Sequence, residues 1–224
     1  MNAHEILDLP DIVQPDNFSC GAASSMSVGT WFSVGPDTLE EWKEALGTNV
    51  QKSTNPQAIA TYLRSLGLQV EERHGMTIED LRSCTQRGSP AIVCCQDYMS
   101  AMSPKEEFDY GHYLTVCAVI GTTPNRFVVC QDSSEDNITR GSDSIQAPGK
   151  ILVREADWER DWHDVDEFGN IYDHYGIIVS SLRQPFFGSV LAVKSLEGFP
   201  VKAKGEPCQQ GETEASDGCI PASD

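Results

Sequence analysis

Hydrophobic positions recur at helical spacing through the first part of the chain. From Cys20 to about Phe32, small residues give way to large apolar ones, which predicts a buried helix. Three more segments combine helical spacing with start and stop residues: DTLEEWKEALG, NPQAIATYLRSLG and TIEDLRSCTQRG. Asp37 or Thr38 can cap the first of them, Pro56 suits the first position of the second, and the third starts at a Thr-x-x-Asp sequence close to a capping box.

The spacing of apolar residues changes after Gly88. Short runs rich in β-branched residues, bounded by Gly, Pro or Asn, predict buried strands at PAIVCCQ, HYLTVCAVIG, RFVVCQD, YGIIVSS and GSVLAVK. Residues 1–13 are predicted to be a leading arm. The stretch between Gln96 and Gly111 and residues 133–150 are predicted loops, and ADWERDWHDVD is predicted to be a short helix that runs into a turn.

Helices come first and strands second, which indicates an α+β fold with N-terminal helices packed on a C-terminal antiparallel sheet. A chain of 224 residues is long enough for one domain with a substantial core, and we place that domain at residues 1–200. Residues 201–224 are polar and acidic, so we expect a disordered tail.

The net charge of the chain argues against some classes of binding partner. The formal net charge of −18 counts against binding to nucleic acid, which needs clustered Lys and Arg, and it disfavours adsorption to anionic membranes. No segment has the run of about 18 apolar residues that membrane insertion requires. The N-terminus carries acids where a secretory signal carries a basic patch and an apolar run, so a cytoplasmic location is expected.

The eight cysteines show no compact metal-binding spacing. Five of them lie among apolar neighbours and are predicted to be buried thiols of a reducing compartment: Cys84, Cys94, Cys95, Cys117 and Cys130. Adjacent Cys94 and Cys95 should point to opposite faces of a strand. Cys208 and Cys219 lie in the predicted tail, where they could pair.

Cys20 differs from those five because it stands at a predicted helix start, where the helix dipole favours the thiolate. Gly21 has no Cβ, so a substrate could lie close to the backbone there. The backbone N–H of Cys20 and the side-chain amide of Gln14 could together hold a developing oxyanion. His112 opens one predicted strand and Asp132 ends the next, so a carboxylate could orient the imidazole.

This set of residues resembles the bacteriocin-processing, double-glycine leader peptidases and their stand-alone relatives, a family of papain-like cysteine peptidases. The resemblance covers roughly residues 14–180 and rests on four pieces in order: Gln14, Cys20-Gly21-Ala22-Ala23, Gly111-His112-Tyr113 and Asp132-Ser133-Ser134. The resemblance implies a papain-like fold and a peptide or protein substrate. It also implies roles for four residues: Cys20 as nucleophile, His112 as its base, Asp132 as the residue that orients the base, and Gln14 as a donor to the oxyanion. It implies no metal and no organic cofactor.

Other functions stay open on the sequence. The same triad serves any acyl carbon, so hydrolysis of a non-peptide amide or acyl transfer is an alternative, and so is a non-catalytic peptide-binding module of this fold. The acidic stretch from Asp161 to Asp173 suggests calcium, yet counting from Asp164 puts Phe168 and Tyr175 where an EF-hand needs oxygen ligands. We therefore interpret that stretch as a polar turn before a strand. The sequence favours no particular oligomeric state.

Overall fold

The computed structural model describes residues 4–96, 111–134, 149–166, 168–182 and 190–193. Its helices are α1 (Cys20–Trp31), α2 (Leu39–Leu46), α3 (Pro56–Ser65), α4 (Ile78–Gln86) and α5 (Glu155–Asp161). Its strands are β1 (His4–Leu7), β2 (Gln69–Arg73), β3 (Ala91–Gln96), β4 (Gly111–Ile120), β5 (Phe127–Gln131), β6 (Lys150–Arg154), β7 (His163–Val165), β8 (Ile171–Asp173), β9 (Gly176–Ser180) and β10 (Val190–Val193). The predicted tail and most of the two predicted loops lie outside the described residues.

The helix limits follow the local signals in the sequence. Thr38, the second of the two candidate caps, begins α2 and forms a reciprocal capping box with Glu41. Asn55 caps α3 by accepting a hydrogen bond from the backbone of the helix's first turn. Thr77 and Asp80 form a second capping box at α4. The predicted helices are therefore confirmed, and the starts of α2, α3 and α4 are set by side chains that satisfy otherwise unpaired N–H groups.

Six strands form one antiparallel sheet in the order β2-β9-β3-β4-β5-β6. Two smaller ladders accompany it: β1 pairs with β10, and β7 pairs with β8. The predicted strands within the described residues are thus present, and the pairings are antiparallel as expected. A register shift between Val116 and Ala118 lets the long strand β4 pair with β5 on both sides of a bulge.

The sheet separates two hydrophobic clusters. One holds the buried residues of α1, α2 and α3 together with Cys94 of β3, and the other holds those of α4 and α5 together with Cys95. The adjacent cysteines therefore do face opposite sides of the strand. All five cysteines predicted to be in the core are buried thiols. Both faces of the central strands are covered, which explains why these strands are apolar without interruption.

The structure differs from the expected order of elements in four places. The predicted leading arm contains β1, the edge strand β2 lies between two helices, and β6 follows directly on a predicted loop. The short strands β7 and β8 flank the predicted polar turn. The strand β2 (QVEER) is exposed at every second residue and carries three charges, so it lacks a hydrophobic signature. Edge strands with charged residues are common because they discourage pairing between molecules. Helices and strands are therefore interleaved, and α4 contacts β4 on the face opposite α1.

No helix within the described residues is long and apolar enough to cross a bilayer.

Candidate active site

Cys20 is the first residue of α1 and is 5% exposed. The preceding residue, Ser19, is the N-cap, but its side chain makes no capping hydrogen bond. Its carbonyl accepts the first intrahelical bond, from Ala23 N at 2.9 Å. Since no side chain caps the helix, the N-terminal N–H groups around Cys20 remain available to an anion.

Asp16 organises the turn that leads into α1. Its Oδ1 accepts hydrogen bonds from the backbone N–H groups of Ser19, at 2.8 Å, and Phe18, at 3.1 Å. Its Oδ2 lies 3.1 Å from Nζ of Lys43. Burial raises the pKa of the Asp16 carboxyl, but these hydrogen bonds and the lysine outweigh burial and lower its pKa below the usual value. The turn is thus held by an ionised carboxylate that keeps Cys20 at the helix start.

His112 and Asp132 lie on neighbouring strands and are both buried. His112 is the second residue of β4, and Asp132 directly follows β5. His112 Nε2 lies 2.9 Å from Asp132 Oδ1, which also accepts a hydrogen bond from the backbone N–H of Ser134. The antiparallel pairing of β4 with β5 brings the two side chains together, as the order of motifs in the sequence led us to expect.

The surroundings of His112 favour its charged form. Burial lowers the pKa of the imidazole, but the charge and hydrogen bond of Asp132 and the hydrogen bond with Cys20 outweigh it and raise the pKa to about 10. His112 therefore contacts both of its predicted partners. Because Nε2 faces Asp132, Nδ1 is the ring nitrogen left for the Cys20 thiol.

Gln14 lies beside the residue that follows Asp132. Its backbone N–H donates to the carbonyl of Ser133 at 2.9 Å, and its Oε1 accepts from the Ser133 hydroxyl at 2.7 Å. One hydrogen of its Nε2 is donated to the Asp16 carbonyl at 2.7 Å, which leaves the second hydrogen for another acceptor. The sequence drew attention to Gln14 but not to Ser133 as the residue that holds it.

Gly21 has a packing role that the sequence did not reveal. A Cβ at Gly21 would lie 2.6 Å from Cβ of Thr54 and 3.0 Å from a ring carbon of Tyr113. The Tyr113 hydroxyl donates to the Thr54 carbonyl at 2.8 Å. The glycine after Cys20 thus lets the segment around Thr54 pack against α1, where we had expected only the approach of substrate.

A small cleft that opens to solvent lies beside Cys20. The segment around Thr54 forms one wall, and the β7–β8 hairpin with the start of β4 forms the other. Asp164 of β7 lies in this wall; the sequence had suggested only a polar turn there. The turn itself is confirmed, because Asp166 accepts hydrogen bonds from the backbone of Phe168 and Asn170. Among the described residues, no group of three or more His, Cys, Asp or Glu side chains is arranged to hold a metal.

Solved structures similar to this one include three peptidases. A C39-like peptidase from Bacillus anthracis matches with a TM-score of 0.55 at 11% identity, over 81% of this chain and all of that one. A double-glycine motif protease from an AMS/PCAT transporter, solved with its leader peptide, matches with a TM-score of 0.51 at 14% identity, over 79% and 97%. The peptidase domain of Streptococcus ComA, a bifunctional ABC transporter, matches with a TM-score of 0.50 at 16% identity, over 80% and 99%.

These matches identify the fold of the chain as that of C39-like peptidase domains, which agrees with the resemblance found in the sequence. They span nearly the whole length of each solved domain. No protein-family model matches the sequence, and no curated protein matches it significantly.

Proposed function

We propose that this protein is a cysteine peptidase that hydrolyses a peptide bond through a thioester, with Cys20 as nucleophile. One observation carries the proposal: the thiol at the start of α1 and the buried His112–Asp132 pair contact each other at an open cleft. Nucleophile, base and orienting carboxylate in this arrangement are the parts that acyl transfer requires.

The first half of the reaction forms the thioester. The Cys20 thiolate attacks the carbonyl carbon of the scissile bond, and the negative charge moves to the carbonyl oxygen. The backbone N–H of Cys20 and the free N–H of Gln14 donate hydrogen bonds to that oxygen. When the tetrahedral intermediate collapses, the C–N bond breaks and His112 gives its proton to the leaving amine.

The second half regenerates the enzyme. His112, now neutral, takes a proton from a water molecule as that water attacks the thioester carbon. The C–S bond breaks, the new carboxyl product leaves, and the thiolate and imidazolium are restored. Asp132 supports the imidazolium and keeps Nε2 engaged, so that Nδ1 points to Cys20 throughout.

A peptide substrate is favoured by the fold. One solved domain of the same fold contains a bound leader peptide, so this architecture is suited to extended chains. The cleft beside Cys20 is partly open to solvent, which gives a segment of polypeptide access to the thiol.

The proposal is tested with peptides of known composition. We expect the protein to cleave members of a proteome-derived peptide library analysed by mass spectrometry, and Cys20→Ala to abolish cleavage while the thermal unfolding midpoint stays close to that of the wild type. Full cleavage by Cys20→Ala would exclude the mechanism.

A second measurement needs no substrate. Brief treatment with iodoacetamide near pH 6, followed by peptide mapping, should label Cys20 ahead of the other cysteines, and His112→Ala should slow that labelling. Cys84 and Cys117 are internal controls, because burial raises the pKa of each thiol to about 11. Labelling of Cys20 that does not depend on His112 would favour a peptide-binding module over an enzyme.

A further inference from the structure

The cleft beside Cys20 has one wall that carries negative charge. Asp164 lies in it, opposite the segment around Thr54 and next to Gly111, the residue that precedes His112. A substrate held at Cys20 must extend through this cleft or pass its rim. Side chains of the wall are therefore placed to contact a substrate next to the scissile bond.

Among the described residues, hydrogen-bond donors reach only one oxygen of Asp164. Oδ1 accepts hydrogen bonds from Nε2 of Gln96 and from the backbone N–H of Val165, each at 2.8 Å. Oδ2 accepts none from the described residues. Asp166, the other acid of the cleft wall, is different, because Asn170 donates to both of its oxygens and the Tyr172 hydroxyl donates to Oδ2. The acceptor available to a ligand is thus Oδ2 of Asp164.

Gly111 allows this carboxylate to lie so close to the catalytic strand. A Cβ at Gly111 would lie 2.6 Å from Oδ2 and 2.7 Å from Oδ1 of Asp164, so any other residue there would displace the carboxylate. The glycine of the Gly-His-Tyr sequence therefore places an acid against the backbone next to His112.

Among the described residues, no Lys or Arg forms an ion pair with Asp164, and the nearby positive charge of His112 is already engaged by Asp132. Lys52 also lines the cleft, but it is exposed and forms no ion pair with a described residue. Burial raises the pKa of the Asp164 carboxyl to about 7, although the hydrogen bonds from Val165 and Gln96 and the charge of His112 act in the opposite direction. A cation that arrives with the substrate would supply the missing countercharge.

We propose that Asp164 forms a specificity subsite that binds the positively charged side chain of a Lys or Arg residue of the peptide, near the scissile bond. The inference rests on the proposed function of Cys20 and adds the substrate class. Oδ2 accepts the charge-assisted hydrogen bond, while Gln96 and Val165 hold the carboxylate through Oδ1.

The proteome-derived peptide library tests the preference directly. We expect Lys or Arg to be enriched at one position near the cleavage site. A cleaved peptide is then compared with an analogue in which norleucine replaces Lys or citrulline replaces Arg, and the neutral analogue should lose about 10- to 100-fold in kcat/KM, the range expected for one hydrogen bond to a charged group. Cleavage with no basic preference, or equal rates for both members of the pair, would overturn the inference.

Asp164→Asn is the matched variant because it retains an oxygen for Gln96 and Val165 and replaces Oδ2 with an uncharged amide. We expect it to lower kcat/KM for the basic peptide about 10- to 100-fold and to leave the neutral analogue within about twofold. Glu44→Gln removes the same charge from an exposed position on α2 and should change neither rate. An equal loss for both peptides would show that Asp164 only supports the structure.

A third readout does not depend on peptidase turnover. A thiolate attacks the alkylthio sulfur of a methanethiosulfonate reagent; the bond between that sulfur and the sulfonyl sulfur breaks, a mixed disulfide forms and methanesulfinate leaves. The aminoethyl reagent should modify Cys20 about 3- to 10-fold faster than the neutral methyl reagent, and Asp164→Asn should remove that preference while Glu44→Gln retains it.

If no library peptide is cleaved but this preference is found, the proposed function fails and the cationic subsite stands. If peptides are cleaved but Asp164→Asn changes neither ratio, the subsite fails and the peptidase stands.

Discussion

The hydroxyl of Ser133 donates to Oε1 of Gln14 at 2.7 Å, joining two residues that are 119 positions apart. The backbone N–H of Gln14 also donates to the carbonyl of Ser133. The N-terminal segment that leads to Cys20 is thus attached to the segment that follows Asp132. The orientation of the Gln14 amide therefore depends on the residue next to Asp132.

We expect Gln14→Ala to lower kcat by about 10²- to 10³-fold with little change in KM, since losing one oxyanion donor has this effect in other hydrolases. Ser133→Ala retains the amide but removes one of the two hydrogen bonds that orient it, and should lower kcat only about 3- to 10-fold. Steady-state kinetics on a cleaved peptide separate the two parameters. An effect of Gln14→Ala on KM alone would show that Gln14 contacts substrate and not the oxyanion.

The pKa of His112 predicts the alkaline limit of activity. The proposed mechanism requires protonated His112, so the wild type should stay active as pH rises and lose activity as pH passes through about 10. Asp132→Asn removes the charge that raises this pKa, and should move the alkaline limb of kcat/KM to lower pH.

Stability should respond in the same direction. Since the pKa of His112 in the folded protein lies above its ordinary value of 6.5, its contribution to stability is complete below that value and is lost as pH rises through about 10.

Asp173→Asn is the control for the pH–rate profile, because it alters the exposed His174–Asp173 pair on the surface. An alkaline limb that stays in place in Asp132→Asn would show that Asp132 does not act through the imidazole.

Lys150 is a buried cation that we expect to support the N-terminal segment. Its Nζ donates to the Leu9 carbonyl and to Oε1 of Gln131, each at 2.8 Å, and its side chain is 1% exposed. Nε2 of Gln131 in turn donates to Asp11 at 2.8 Å. Lys150→Met should lower the free energy of unfolding by about 3–5 kcal/mol, as is typical when one partner of a buried charged network is removed.

Denaturant unfolding measures that change. Arg73→Gln breaks an exposed ion pair with Glu71 on β2 and serves as the control, with an expected cost of at most about 1 kcal/mol. We also expect Lys150→Met to lower kcat, because the segment that carries Gln14 loses its attachment to the sheet. Equal costs for the two substitutions would mean that the Lys150 network contributes no more than a surface pair.

Gly21→Ala tests the packing of α1 against the cleft. Alanine normally stabilises a helix interior by about 1 kcal/mol relative to glycine. Here the new methyl group would lie 2.6 Å from Cβ of Thr54, so we expect a loss of about 1–3 kcal/mol from overpacking and a distorted cleft with lower kcat/KM. Thr30→Ala, at an exposed position of the same helix, should change stability by no more than about 0.5 kcal/mol. A more stable Gly21→Ala would show that the segment around Thr54 moves aside freely.

Local signals predicted a large part of the fold. Thr38, Asn55 and Thr77 begin their helices because their side chains satisfy N–H groups a few residues away, and a short stretch of sequence contains all that this requires. The central strands were equally clear, since burial on both faces demands unbroken apolar runs. The opposite orientation of Cys94 and Cys95 followed from strand geometry alone.

The strands β1, β2 and β6 were not predicted, because their existence depends on partners far away in the chain. Ile6 of β1 pairs with Leu191 of β10, and Val70 of β2 pairs with Val179 of β9. Lys150 begins β6 as a buried cation, which no hydrophobic pattern would indicate. Pairing with β5 and the hydrogen bond that Lys150 Nζ donates to the Leu9 carbonyl make that position favourable for a charged residue.

By itself the sequence determined which residue types stand at the helix start and the strand ends, and so it singled out Cys20, His112 and Asp132 as a set. Tertiary structure decided what surrounds them: Ser133 against Gln14, Thr54 against Gly21, and Asp164 against Gly111. Each of these contacts joins segments that are more than 30 residues apart. Their distances depend on how strands and helices pack, and packing is determined by the whole core rather than by the spacing of residues along the chain.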